Sequence, residues 1–134
     1  MTTTTVPAIG TRDSLLRNAI RIDGVVVAAL GIAMVAAAGP LSTLTGLPTA
    51  VEYGIGVVSI AYGPLAFWLA SRPVVRTIGM VVAEVNAVTT IGLVALVIAG
   101  VAALSTPAGG LALAVAAYTA VIGAVQYVGV RRLA

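Results

Sequence analysis

Glu84 is the side chain of this sequence with the most chemistry to explain. It stands eight residues past Arg76, about 12 Å along a helix, and its neighbours are apolar until Asn86. An ionised carboxylate in such surroundings is costly. It must carry a proton, pair with a cation, or face water inside a bundle. Asp23 stands at a comparable point, with Arg21, Arg72 and Arg76 as candidate partners. Two readings of these acids are open. In one, Asp23 and Glu84 form a proton-coupled or cation-binding pair at the inner mouth of a helical bundle. In the other they are buried or snorkelling partners of arginine that fix helix register, and the closeness of the arginines favours it.

Other polar residues extend this candidate site. Asn86, Thr89 and Thr90 are read as one face of a helix, placed to line a polar path or, more commonly, to bond a neighbouring helix or the backbone one turn back. Gln126, at the same level of the last helix, is a candidate partner for either acid. Glu52, Gly56, Ser59 and Gly63 recur at spacings of four, three and four. They predict a packing face with Glu52 at the opposite interface, where its carboxylate reaches water. Tyr53, Tyr62, Tyr118 and Tyr127 are expected to be interface or packing residues.

Much chemistry is excluded by composition. The chain has no His, Cys or Lys, so disulfides, thiol redox chemistry, His-ligated haem and the common zinc sites are not open to it. No nucleophile–base pair, phosphate-binding glycine loop or nucleic-acid module is visible. We therefore expect no enzyme activity, no cofactor and no nucleic-acid partner.

The elements that position these residues follow from hydropathy. Of 134 residues, 60% are hydrophobic and 8% charged, with a mean hydropathy of +1.16. Soluble domains carry about 25% charged residues, so lipid is the expected solvent. Residues 1–12 read as a polar tail, and 13–134 as one transmembrane domain. From Asp13 to Asp23 the stretch is amphipathic, with Asp13, Arg17 and Arg21 on one face, and it is expected to lie at the interface. Spans are expected at about residues 20–39, 48–70, 77–104 and 111–130, each near the ~20 residues that cross a bilayer. Gly39 and Pro40 should end the first span, and Gly63 and Pro64 should kink the second. Leu41–Leu47 and Ser105–Gly110 are read as uncharged turns.

Charge placement decides the number of spans. Arg12, Arg17 and Arg21 precede the first span, Arg72 and Arg76 separate the second from the third, and Arg131 and Arg132 follow the fourth. Trp68 adds an aromatic anchor beside Arg72. Four spans put all seven arginines on one side, which the positive-inside rule makes cytoplasmic, whereas three would scatter them. Both termini are then cytoplasmic. A competing reading of the first apolar stretch is a signal peptide cut after Ala36-Ala37-Ala38, and the long basic lead-in opposes it. The fold expected is an all-α integral membrane four-helix bundle.

The halves of the chain look related. Asp23, Gly31 and Gly39 recur as Glu84, Gly92 and Gly100, an offset of 61 residues. That pattern predicts two parallel helical hairpins, although a chain so rich in alanine and glycine also produces such matches by chance. Gly24, Ala28, Gly31 and Ala38 form a small-residue face, as do Ala112, Ala116, Ala120 and Ala124, and such faces permit close approach of helices or of a partner subunit.

The run LLRNAIRIDGVVVAALGIAMVAAAGPLSTLTGLP, Asn86 in the third span and the terminal QYVGVRR resemble a group of small, mostly uncharacterised four-helix integral membrane proteins of bacteria, particularly actinobacteria. Replacement of every Lys by Arg fits a GC-rich bacterial genome. The resemblance implies topology and carries no activity. Small multidrug transporters also combine four short helices with an acid in the first, but one-sided arginines oppose their dual topology. The expectation is a non-enzymatic protein of the bacterial cytoplasmic membrane, held in lipid and associating with itself or with a larger complex. The alternative is a small proton- or cation-coupled transporter using Glu84 and Asp23.

Overall fold

The computed structural model describes residues 12–100 and 106–134. The described residues form five helices: α1 Ser14–Ala36, α2 Ala38–Thr45, α3 Thr49–Ala70, α4 Val75–Ile98 and α5 Thr106–Arg131. Four of them, all but α2, are long and apolar enough to cross a membrane. Their surfaces agree with that reading: Val58, Val88, Ile91 and Val121 are each about two-thirds exposed. Branched apolar side chains displayed on all sides suit a lipid solvent rather than water.

Several boundaries differ from expectation for local reasons. α1 begins at Ser14, so the amphipathic lead-in and the first span are one helix, opened by an ion pair from Arg17 Nε to Asp13 Oδ2 at 2.7 Å. Gly39 and Pro40 do not end the helical path. Pro40 has no N–H to offer the Ala36 carbonyl and its ring crowds that group, so α1 stops at Ala36. Ala37 takes φ −111° and ψ 19°, and α2 restarts with Pro40 in its first turn, where proline is tolerated. The expected Leu41–Leu47 turn is thus mostly helix. It ends at Gly46, whose φ of 74° and N–H bond to Ser42 O form a left-handed cap.

α3 matches the second span within a residue and continues through Pro64. α4 ends at Ile98, before Gly100 with φ 58°, and the remainder of the expected third span, 101–104, lies outside the described residues. The expected turn at 105–110 is helical from Thr106 on, because Pro107 falls in the first turn of α5.

The closest pairings are α1 with α3 and α4 with α5, so the bundle is two antiparallel hairpins. Glycines zip the first hairpin. A Cβ at Gly31 would fall 2.6 Å from Gly56 O and one at Gly24 2.6 Å from Ala66 Cβ, so side chains there would drive the helices apart. Leu16 and Ile20 of α1 close the arginine-bearing end against Ala66, Ala70, Val75 and Val130. Arg17 ties the same end by donating to the carbonyls of Ala70 and Arg72.

The offset of 61 residues repeats in length but not in packing. Shifted by 61, α1 covers 75–97, one residue short of α4, and α3 ends on Arg131 as α5 does. Yet the positions that α1 buries, Leu16, Ala19, Ile20, Asp23, Gly24 and Gly31, correspond to Thr77, Met80, Val81, Glu84, Val85 and Gly92. Met80 is half-buried and the other five are exposed. α4 buries its opposite side instead: Val75, Gly79, Val82, Ala83 and Asn86.

Candidate functional site

Asp23 is 2% exposed and lies where α1, α3 and α5 converge. The Gly24–Gly63 approach brings Tyr62 of α3 to it, and the Tyr62 hydroxyl donates to Oδ2 at 2.8 Å. From α5, the Tyr118 hydroxyl donates to Oδ1 at 2.9 Å and Gln126 Nε2 to Oδ2 at 3.4 Å. Gln126, fully buried, also accepts from Asn86 Nδ2 of α4 at 2.9 Å. Each spanning helix therefore contributes to one polar chain that crosses between the hairpins. Among the described residues no buried side-chain nitrogen or oxygen lacks a partner. Such saturation suits a structural network, because an unpaired polar group in a low-dielectric interior is expensive.

Three of the four expected site residues, Asp23, Asn86 and Gln126, are thus brought together. The fourth is not. Glu84 is exposed on the outer side of α4, where no hydrogen bond or ion pair reaches it among the described residues. It sits at the edge of an open groove of about 460 Å³ between α4 and α5, floored by Ala83, Ala87, Ala120, Gly123 and Ala124. The cause is the burial of the other side of α4, which turns Asn86 inward and Glu84 outward. Asp23 and Glu84 form no shared site.

The arginine partners expected for Asp23 are also corrected. The ion pair among the described residues is Arg17 with Asp13, and Arg21, Arg72 and Arg76 make none with Asp23. Arg72 lies over the Trp68 ring, 3.8 Å from its centroid, as interface anchors do. Arg131 stands over Tyr127 at 6.0 Å. Antiparallel hairpins gather Arg12, Arg17, Arg21, Arg72, Arg76, Arg131 and Arg132 at one end of the bundle.

Glu52, expected to reach water, is 2% exposed. Gly46 turns the chain so that Thr45 Oγ1 meets Glu52 Oε1 at 2.5 Å while accepting from Leu47 N–H at 3.2 Å. The carboxylate also sits in the first turn of α3, where the helix dipole favours negative charge. Thr89 leaves the face assigned to it: it points outward and bonds Val85 O, while Thr90 meets Thr119 of α5 at 2.7 Å.

Tyr62 and Tyr118 are the partners that sequence reasoning missed. A signal for Tyr62 was present. Gly24 and Gly31 on α1 and Gly56 and Gly63 on α3 share a spacing of seven, and antiparallel pairing of those glycines sets Tyr62 beside Asp23. Nothing comparable marks Tyr118.

Among the described residues no three of His, Cys, Asp and Glu come close enough to hold a metal ion. The fold and the site together define a multi-pass helical membrane protein with a saturated polar interior. Compared with known protein families, curated proteins and solved structures, the chain matches none of them.

Proposed function

We propose that this chain is a non-enzymatic, self-associating unit of a bacterial cytoplasmic membrane, with its arginine-bearing end and both termini in the cytoplasm. The observation that carries the reading is the contrast between the two carboxyls. The interior acid is saturated by neighbours from its own bundle, whereas Glu84 is displayed toward lipid beside a groove of small residues. Lipid gives a carboxyl nothing to bond with, so contact with a polar or cationic group from another copy would lower the cost of placing it there. Orientation follows from the seven arginines.

Single-molecule photobleaching of fluorescently labelled protein in dilute lipid vesicles tests the association. Multiple bleaching steps per particle are expected, and single steps at every density would overturn the reading. A carboxyl-terminal fluorescent fusion that matures only in the cytoplasm should be bright, and a dark fusion accessible from outside would reverse the orientation.

A second reading, a small cation-coupled transporter, draws support from the groove itself, whose volume lies in the range of small-molecule sites. It is distinguished by flux of a lipophilic cation into vesicles. Loss of flux in Glu84→Gln would favour it, and absence of flux in the unaltered protein would dispose of it.

A further inference from the structure

Arg21, like Glu84 and like Arg76 at the first turn of α4, is a charged residue of a spanning helix that the described residues leave without a partner. It is half-buried on α1, and neither a hydrogen bond nor an ion pair engages it among the described residues. Its depth can be read from contacts. Leu16 packs against Gly79, and α1 and α4 run in the same direction. Five residues further along each helix, about 7.5 Å, come Arg21 and Glu84. The two charges therefore stand at one level of the bundle, on different hairpins, without meeting.

Their surroundings are complementary in shape as well. Beside Arg21, α1 presents Val25 and Ile32 to lipid, 55% and 59% exposed. Beside Glu84 lies the groove floored by small residues. Branched side chains on one helix fit a cleft left by alanine and glycine on another.

Resting on the self-association proposed above, we propose that the α4–α5 groove is the docking site for the outer face of α1 from a second copy in the same orientation, where Glu84 pairs with the second copy's Arg21. Opposite charges at one depth, each lacking a partner at home, are the complementarity that selects this occupant. A copy inserted upside down would carry Arg21 to the wrong level. Two copies meeting groove to groove would bring Glu84 against Glu84 with no cation between them. Because the two surfaces differ, the contact is head-to-tail, of the kind that closes into rings or extends as arrays.

The absence of native cysteine makes the test clean. One preparation carries Val25→Cys, a second carries Ala87→Cys, and the two are mixed in vesicles and oxidised. The expected product is the mixed disulfide, and linkage of Ala87→Cys to itself in its place would overturn the proposal. Adding Glu84→Gln to the groove-bearing chain should reduce the mixed product about tenfold, with its unfolding midpoint unchanged to show that the bundle remains intact. Glu84→Arg in that chain together with Arg21→Glu in the other should restore it. Arg131→Gln should have no effect, and loss of the product there would assign Glu84 to Arg131 instead. Multiple bleaching steps without the mixed disulfide would sink this interface and leave self-association standing. Single steps would sink both.

Discussion

Asp23 and Glu84 occupy the same place in their hairpins, nine residues into α1 and nine into α4, and the bundle treats them in opposite ways. One is enclosed and accepts from three donors, and the other is exposed on the outside of the bundle. Helix length and level repeat between the halves, but the buried face does not. What a residue does in a bilayer is therefore set by rotation about the helix axis, which an offset in sequence cannot reveal. Rotation in turn follows packing: glycines at 24 and 31 let α1 lie against α3 on that side. Their counterparts are Val85, too large for such contact, and Gly92, which meets nothing within 4 Å.

The largest effect should come from removing the interior acid. Asp23→Leu strips Tyr62, Tyr118 and Gln126 of their acceptor, and three stranded donors at roughly 1 kcal/mol or more each should destabilise the bundle by about 3–4 kcal/mol. Glu84→Leu should change the stability of the isolated bundle by less than about 0.5 kcal/mol, as surface substitutions do. Reversible unfolding in mixed micelles measures both. Equal losses would mean that Glu84 is held by the bundle and that the contrast is false.

A matched pair of glycine substitutions separates the hairpins by packing alone. Gly31→Ala places a methyl 2.6 Å from Gly56 O and 2.8 Å from Ile60 N, backbone atoms that move only if α3 moves. A loss of about 2 kcal/mol is expected. Gly92→Ala meets open space and should gain up to about 1 kcal/mol from helix propensity. If both substitutions behave alike, the second hairpin uses the same face as the first.

Thr45→Val asks whether the first hairpin relies on polar closure at its neutral end too. It removes the hydroxyl that meets the buried Glu52 carboxylate and leaves shape intact. About 1 kcal/mol should be lost, and the loss should shrink when Glu52→Leu, which has no acceptor, is already present. A double-mutant cycle reads the coupling directly.

The four spans were legible because hydropathy and arginine placement each specify them, and two independent signals agreed. Their ends were less so. Pro40 and Pro107 read as terminators, yet proline in a first turn costs little, so one restarts a helix as α2 and the other sits in the opening turn of α5. The candidate site was legible in part. Asn86 and Gln126 are polar in apolar runs and had to find partners, and they found each other. Asp23 was assigned to arginine because charge seeks charge, but neutral hydroxyls from α3 and α5 were nearer once the glycines closed the first hairpin. Glu84 was misplaced because its environment depends on which side of α4 is buried. Glu52 was misplaced for a different reason, since the helical turn α2 folds over it.

The smallest effect probes whether the second hairpin has polar closure beyond the Asn86–Gln126 bond. Thr90 Oγ1 lies 2.7 Å from Thr119 Oγ1 and also bonds Asn86 O, so its hydroxyl links α4 to α5 near the groove. Thr89, one residue away, points outward and bonds only its own helix at Val85 O. Replacing either by valine keeps volume and branching, so only hydrogen bonding changes. Interhelical hydrogen bonds in membrane proteins average about 0.6 kcal/mol, and Thr90→Val should cost that much while Thr89→Val costs less than half as much. If Thr90→Val is also silent, the Asn86–Gln126 bond is the one side-chain hydrogen bond that holds α4 to α5 among the described residues. The groove would then be free to widen beyond that amide pair, and polar closure of the second hairpin would be confined to the level of Asn86 and Gln126.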